Sequence, residues 1–223
     1  MAGARRSKLQ SVTCALLVAA LAVLAAGCGG GDGSSTTANG CEDVDAPAPR
    51  DDGGQTAPSE PLDASRTWTL TFDTSCGMFV VTLDLESAPK TAASLVALAR
   101  AGYYDDTVFH RIVPGFVIQG GDPTQSGNGG PGYTTVDPPP AGAAYTKGVV
   151  AMAKTATEAA GTAGSQFFVV IGDGSGIAPE YAVAGTVTSG LDVVERIGEL
   201  GDPTTEQPLQ PVVIDAVTVG SDT

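Results

Sequence analysis

Between residues 66 and 220 the chain alternates short apolar runs with clusters of Gly, Pro, Asp and Ser, a pattern that predicts strands joined by tight loops. "TWTLTF" and "MFVVTLDL" are of strand length, rich in β-branched and aromatic residues, and flank the turn-like "DTSCG", so they read as a hairpin. Further strands are expected at 107–113, 116–120, 148–153, 167–171, 181–187 and 212–219. The period changes in "SAPKTAASLVALARAGYY": Leu95, Leu98 and Ala99 recur at helical spacing, Ser87 is placed to cap, Pro89 falls in the first turn and Gly102 follows the end. A second helix is expected near 191–200. Strands separated mostly by Gly/Pro-rich loops, with only two helices, point to a mainly β domain. Its antiparallel sheet closes into a barrel instead of forming a doubly wound sheet.

Ahead of this domain the pattern differs. "MAGARRSK" is basic, and Val12 to Ala26 is an apolar run ending in small residues, the layout of an export signal over residues 1–27. The run is shorter than the ~20 residues of a spanning helix. "LAAGC", Leu24 to Cys28, resembles a bacterial lipobox, in which the cysteine is diacylated after cleavage; the usual leucine three before the cysteine is Ala25 here. Two acyl chains suffice for stable anchoring. Simple secretion, with cleavage inside "LAAG", is the alternative. Residues 28–65 are Gly, Ser, Thr, Asp, Pro and Ala with scarcely a large apolar side chain, too little to offset chain entropy, and a flexible tether is expected.

Charge and cysteine usage narrow the chemistry. Lys+Arg 11 against Asp+Glu 25 gives −14, and loss of residues 1–27 removes three basic residues and no acid, taking the charge to −17. Such a chain is no partner for nucleic acid. The one histidine, His110, rules out a multi-histidine metal site, and none of the four cysteines has the C-x-x-C spacing of zinc or dithiol sites. No metal or cofactor is expected. With Cys14 leaving in the signal and Cys28 lipidated, Cys41 and Cys76 remain, and an oxidising compartment would pair them; two independent thiols are the alternative.

Several motif matches fall away. "GNGGPG" fits G-x-G-x-x-G but lacks the strand before and the helix after, no G-x-S-x-G elbow exists, and "DGSG" lacks the spaced oxygen ligands of a calcium loop. What remains is "FHRIVPGFVIQGGD", Phe109 to Asp122. Strand alternation places Phe109, Arg111 and Val113 on one face and Val108, His110 and Ile112 on the other. Both faces carry apolar groups, so the Arg111 guanidinium needs a carboxylate or carbonyl partner, or a concave surface to point into. Gln119 likewise needs hydrogen-bond partners. On residue type alone a structurally paired arginine is favoured, and Phe116, Met152 and Phe168 read as core.

Three colinear motifs change that balance. "FHRIVPGFVIQGGDP", "GVVAMAKT" and "GSQFFVV", with "APKT" opening the first helix, resemble the signature of the cyclophilins, peptidyl-prolyl cis/trans isomerases, in order over roughly residues 66–220. The resemblance implies an eight-stranded antiparallel closed barrel capped by two α-helices, with a groove on its outer face. It implies Arg111 as the catalytic arginine, Gln119 holding substrate backbone, and Phe116, Met152 and Phe168 as the proline pocket. Ala153 and Gln166 would line the groove, Ile177 would supply a pocket aliphatic, and Tyr181 stands where many eukaryotic members carry a second histidine. His110 would lie beside the site without acid–base work. Gly176 occupies the position of a tryptophan in many eukaryotic members, and Lys154 that of an asparagine, within a longer "KTATEAAGTAG". The expected partners are proline-containing unfolded or exported polypeptides, handled by a monomer lipid-anchored at the outer face of the cell membrane. A proline-peptide binding module without turnover is the alternative.

Overall fold

The computed structural model describes Thr37 and residues 39–222. The expected export signal and the lipidation at Cys28 lie outside these residues. The expected hairpin forms from β1 (Thr67–Thr74) and β2 (Gly77–Leu83), with Phe72 opposite Phe79 and their rings stacked at 4.7 Å. There follow α1 (Pro89–Arg100), β3 (Thr107–Val108), β4 (Arg111–Val113), β5 (Val117–Gly120), β6 (Thr135–Val136), β7 (Val149–Met152), β8 (Thr162–Ala163), β9 (Phe167–Val170), β10 (Val183–Ser189), α2 (Leu191–Gly198) and β11 (Val213–Asp222). Nine strands form one antiparallel sheet in the order β3-β11-β1-β2-β10-β7-β9-β5-β4, and β6 pairs with β8 apart from it.

The two edges of that sheet, β3 and β4, are consecutive in the chain and separated only by Phe109 and His110. The sheet therefore curls strongly until its ends nearly meet, a half-barrel whose two edges are bridged by two residues of chain and not by a strand pairing. The run 107–113 read as one strand is split, which is why nine strands stand where eight were expected. The split also breaks the alternation assumed for that run. Phe109 and Ile112 are both fully buried in the inner core, while Arg111 and Val113 sit on the outer side. Inside the barrel Phe72, Phe79, Phe109, Phe167 and Tyr104 pack together, mostly edge-on or tilted; such aromatic pairs contribute about 0.5–1.5 kcal/mol beyond area burial.

Neither helix receives a side-chain cap bond from its N-cap residue. Ser87 does not cap α1: its N–H donates to Asp84 Oδ1, and the N-cap position is Ala88, which makes no side-chain cap bond. Asp137, 46 residues ahead of Thr91, accepts from both the Thr91 N–H (2.7 Å) and its hydroxyl (2.8 Å), satisfying a first-turn donor through tertiary structure. The N-cap of α2 is Gly190, whose φ of 75° is the left-handed region that glycine enters without strain. Helix α2 turns Val193, Val194 and Ile197 to the core.

The segment expected to be a flexible tether as far as Ser65 is a strap laid on the domain from Cys41 onward. Cys41 is fully buried and disulfide-bonded to Cys76, and the Glu42 N–H donates to the Ser75 carbonyl at 2.7 Å. Arg50 donates to the carbonyls of Tyr103 (2.9 Å) and Asp105 (2.6 Å), and the N–H groups of Gly53 and Gln55 donate to Gly130 and Pro131 carbonyls. At Gly132, φ is 91° and a Cβ would come within 3.2 Å of Gly53, so the strap approaches there as closely as two backbones allow. Composition measures only what this stretch can bury by itself. The stretch is ordered because the domain supplies the partners, and because its prolines leave less backbone entropy to lose.

Candidate active site

The outer faces of β5, β7 and β9 build the site through register. Gln119 lies opposite Arg111 on one side and Phe168 on the other, and Phe168 lies opposite Ala151. Alternation then puts Val117, Ala151, Phe168 and Val170 together in an outer apolar cluster, with Phe116, Ala153, Ile177 and Tyr181 half-buried around it. A cleft of about 250 Å³ opens there, lined by Arg111, Phe116, Val117, Gln119, Phe168 and Ile177 among others. Tyr181 packs edge-on to Phe168 at 5.3 Å and is held by Tyr145, whose hydroxyl donates to the Tyr181 carbonyl at 2.7 Å and accepts the Tyr181 N–H at 3.0 Å. Gly176 has open space beside it, so the cleft is unwalled on that side.

A chain of side-chain hydrogen bonds runs along the cleft floor. Arg111 Nε donates to Glu206 Oε2 at 2.7 Å, Arg111 Nη1 reaches Gln119 Oε1 at a long 3.4 Å, Gln119 Nε2 donates to Gln166 Oε1 at 3.1 Å, and Gln166 Nε2 to the Gly129 carbonyl at 2.9 Å. The Arg111 side chain is 34% exposed, so this ion pair adds little to stability. Its effect is geometric, because it clamps one edge of a planar guanidinium and leaves the remaining N–H groups at the cleft. Both readings of Arg111 therefore hold at once: it is ion-paired, and it faces a concave surface.

Met152 is where the expected constellation fails. It is fully buried in the inner core, in phase with Val150, and lines no part of the cleft; the aliphatic wall comes from Val117 on β5, beyond the intervening β9. Arg111, Gln119, Phe116, Phe168, Ala153, Ile177 and Tyr181 all line the cleft, and Gln166 lines an adjoining one. Three contributors carried no sequence signal as site residues: Val117, Glu206 and Asp122. Asp122 is fully buried and accepts from Thr124, Gly127 and Gly129 N–H groups. Burial pushes its pKa up, but these bonds and the Thr124 hydroxyl outweigh that, and the carboxyl stays below its ordinary value. It thereby shapes the loop that presents the Gly129 carbonyl to Gln166. His110 has both ring nitrogens buried without a hydrogen-bond partner among the described residues, and burial pushes its pKa below the ordinary histidine value. No group poised for proton transfer meets the cleft through it.

This sequence and fold have counterparts among known proteins. Residues 69–219 match the family model of the cyclophilin type peptidyl-prolyl cis-trans isomerases. A peptidyl-prolyl cis-trans isomerase-like 1 of Aspergillus fumigatus is 38% identical over 65% of this chain and 91% of its own length. The Mycobacterium leprae protein named "Probable peptidyl-prolyl cis-trans isomerase A" is 36% identical over 68% of this chain and 91% of its own. Among solved structures, a Cryptosporidium parvum cyclophilin type isomerase superposes with a TM-score of 0.64 at 27% identity, covering 70% of this chain and 99% of that one; a second crystal structure of it was obtained in the presence of the dipeptide Ala-Pro, with a TM-score of 0.63. The chain belongs to the cyclophilin-type peptidyl-prolyl cis-trans isomerases. Its activity is the interconversion of the cis and trans forms of peptide bonds before proline.

Proposed function

We propose that the cleft bounded by Phe116, Val117, Phe168 and Ile177 takes the proline ring of the substrate, that Gln119 and the Ala153 backbone hold the residue before it, and that Arg111 catalyses rotation electrostatically. As an X–Pro bond twists, its nitrogen lone pair leaves conjugation and localises. A guanidinium N–H aimed at that nitrogen is bound more tightly in the twisted state than in either planar one, and that difference lowers the barrier. Nothing covalent breaks, which fits a cleft without nucleophile or general base. A 10⁵-fold acceleration needs about 7 kcal/mol, while one charged hydrogen bond contributes about 1.5–3 kcal/mol. The apolar cleft has to supply the rest by holding the twisted geometry and stripping water from the polar planar amide. The observation that carries this reading is the convergence of Arg111 and Gln119 on one apolar cleft, with Glu206 clamping the far edge of the guanidinium. Cis/trans exchange of a proline peptide, followed by NMR beside its binding, tests it: Arg111→Ala is expected to bind with its exchange enhancement lowered about a hundredfold. Undiminished enhancement in that variant removes Arg111 from the mechanism, and binding without enhancement in the parent chain leaves only a docking module.

The same proposal places the enzyme outside the cytoplasm, as a monomer anchored through Cys28 to the outer face of the membrane and acting on exported polypeptides. It is supported by the lipobox-like "LAAGC" and by a disulfide, which needs an oxidising compartment to persist. Radiolabelled palmitate should enter the chain in its bacterial host and fail to enter Cys28→Ala; label in neither points to plain secretion.

A further inference from the structure

The hydrogen-bond chain along the cleft floor has a direction, and its two ends fix it. A guanidinium only donates and a carbonyl oxygen only accepts. Gln119 therefore turns Oε1 to Arg111 and Nε2 to Gln166, and Gln166 turns its own Nε2 to the Gly129 carbonyl. Suppose the peptide between Gly129 and Gly130 rotated, so that the Gly130 N–H took the place of that carbonyl. Gln166 would have to offer Oε1 to it and Nε2 to Gln119. Gln119 would then turn Oε1 away from Arg111 and set donor against donor.

What holds that peptide in place is the strap. In a planar trans peptide the C=O and N–H point in opposite directions. The Gly129 carbonyl accepts from Gln166 at 2.9 Å and the Gly130 N–H donates to Asp52 Oδ2 at 3.3 Å, so the amide chain and the strap grip opposite edges of one plane. Asp122 cannot substitute, because the N–H it accepts from Gly129 belongs to the preceding peptide. Glycine on both sides resists rotation least, and a Cβ at Gly130 would meet nothing within 4 Å. The next two carbonyls are gripped as well, Gly130 by the Gly53 N–H at 2.7 Å and Pro131 by the Gln55 N–H at 3.1 Å. Arg50 and Gln125 fasten strap to loop: the Arg50 N–H donates to the Pro123 carbonyl at 2.9 Å, and Gln125 Nε2 to the Pro47 carbonyl at 2.8 Å. All the strap residues involved precede the residues 69–219 that match the family. We propose that the strap is a positioning element of the isomerase site, in which Asp52, held in place by Arg50, sets the direction of the amide chain that ends at Arg111. This rests on the roles proposed above for Arg111 and Gln119.

The test is a double-mutant cycle on the full chain. It reads cis/trans exchange of Ala-Ala-Pro-Phe, whose neutral side chains give the Asp52 charge nothing to attract, together with the side-chain amide NMR signals of Gln119 and Gln166. Arg50→Ala, which releases the strap, should lower kcat/KM about three- to tenfold, chiefly through kcat, and Asp52→Ala about two- to threefold, the scale of one neutral hydrogen bond. Asp52→Asn keeps an acceptor oxygen and should restore most of the loss. In a Gln166→Ala background Arg50→Ala should cost less than about twofold, because the link it acts through is gone. Both amide signals should shift in Arg50→Ala. The proposal is overturned by parent kcat/KM in Arg50→Ala well below its melting temperature, by an undiminished loss in the Gln166→Ala background, by Asp52→Asn as slow as Asp52→Ala, or by unmoved amide signals. Should Arg50→Ala not fold, Gln125→Ala, which removes only the bond to Pro47, runs the same cycle. Full turnover in Arg111→Ala is the failure of the groove reading instead, and the amide signals then decide the strap alone.

Discussion

The inner and outer faces of β5, β7 and β9 come from the same dozen residues and do opposite work. Inward, Ile118, Val150, Met152, Phe167 and Val169 belong to the buried hydrophobic cluster that also holds Phe72, Phe79 and Phe109. Outward, Val117, Ala151, Phe168 and Val170 are smaller on average, and long polar side chains, Arg111, Gln119 and Gln166, stand among them. A face filled by apolar residues alone converts burial into stability. A face that mixes apolar floor with partly satisfied donors keeps a cleft and spends its remaining hydrogen-bonding capacity on a ligand.

Substitutions that strike one face and spare the other test that division. Phe167→Ala, inward, should cost about 3–5 kcal/mol of stability, read by denaturant unfolding, while its folded fraction retains turnover. Arg111→Ala, outward, should lower kcat/KM about a hundredfold, or about 2.7 kcal/mol by 1.36 per decade, with a melting temperature within a few degrees of the parent. Should Arg111→Ala melt as low as Phe167→Ala, the two faces are not separable and the division is wrong. Glu206→Gln keeps a hydrogen-bond acceptor but removes the charge that clamps the guanidinium, and about a three- to tenfold loss in kcat is expected with stability unchanged, because an exposed pair of this kind contributes little.

The smallest effect is a pH dependence carried by His110, which joins the two edge strands. Burial depresses its folded pKa, so below about pH 6.5 the unfolded chain takes up a proton that the folded chain resists. Stability is full above that pH and falls as pH drops toward the folded-state value. His110→Gln should flatten this part of the stability profile in chemical denaturation at pH 7 and pH 5. Turnover per folded molecule should not follow the same curve, since the histidine takes no proton from the substrate.

Legibility in the sequence tracked how local each determinant is. The hairpin, α1, α2 and the outward set around Gln119 and Phe168 follow from periods of two and 3.6 and from colinear motifs. Met152 was misplaced although its parity was readable: once Phe168 faces out, its partner Ala151 does too, and Met152 must face in. Glu206 was beyond reach, because it meets Arg111 across 95 residues through a loop with no repeating pattern. Asp137 capping α1 is the same kind of contact, and a nearby serine was the more visible local candidate. In the strap, composition forecast a coil because it measures what a segment can bury alone, whereas order there comes from a disulfide, Arg50 and carbonyls supplied by the domain.

The two-residue bridge between the edges of the curled sheet has a bearing on the enzyme's company. Strand edges recruit other strands, and an extended proline-containing peptide carries such edges itself. Among the described residues the edges of the main sheet are β3 and β4, two and three residues long, separated by Phe109 and His110. A passing chain can therefore find purchase in the groove, where it is turned over and released, and almost none along the sheet, where it would be trapped as an added strand and seed aggregation.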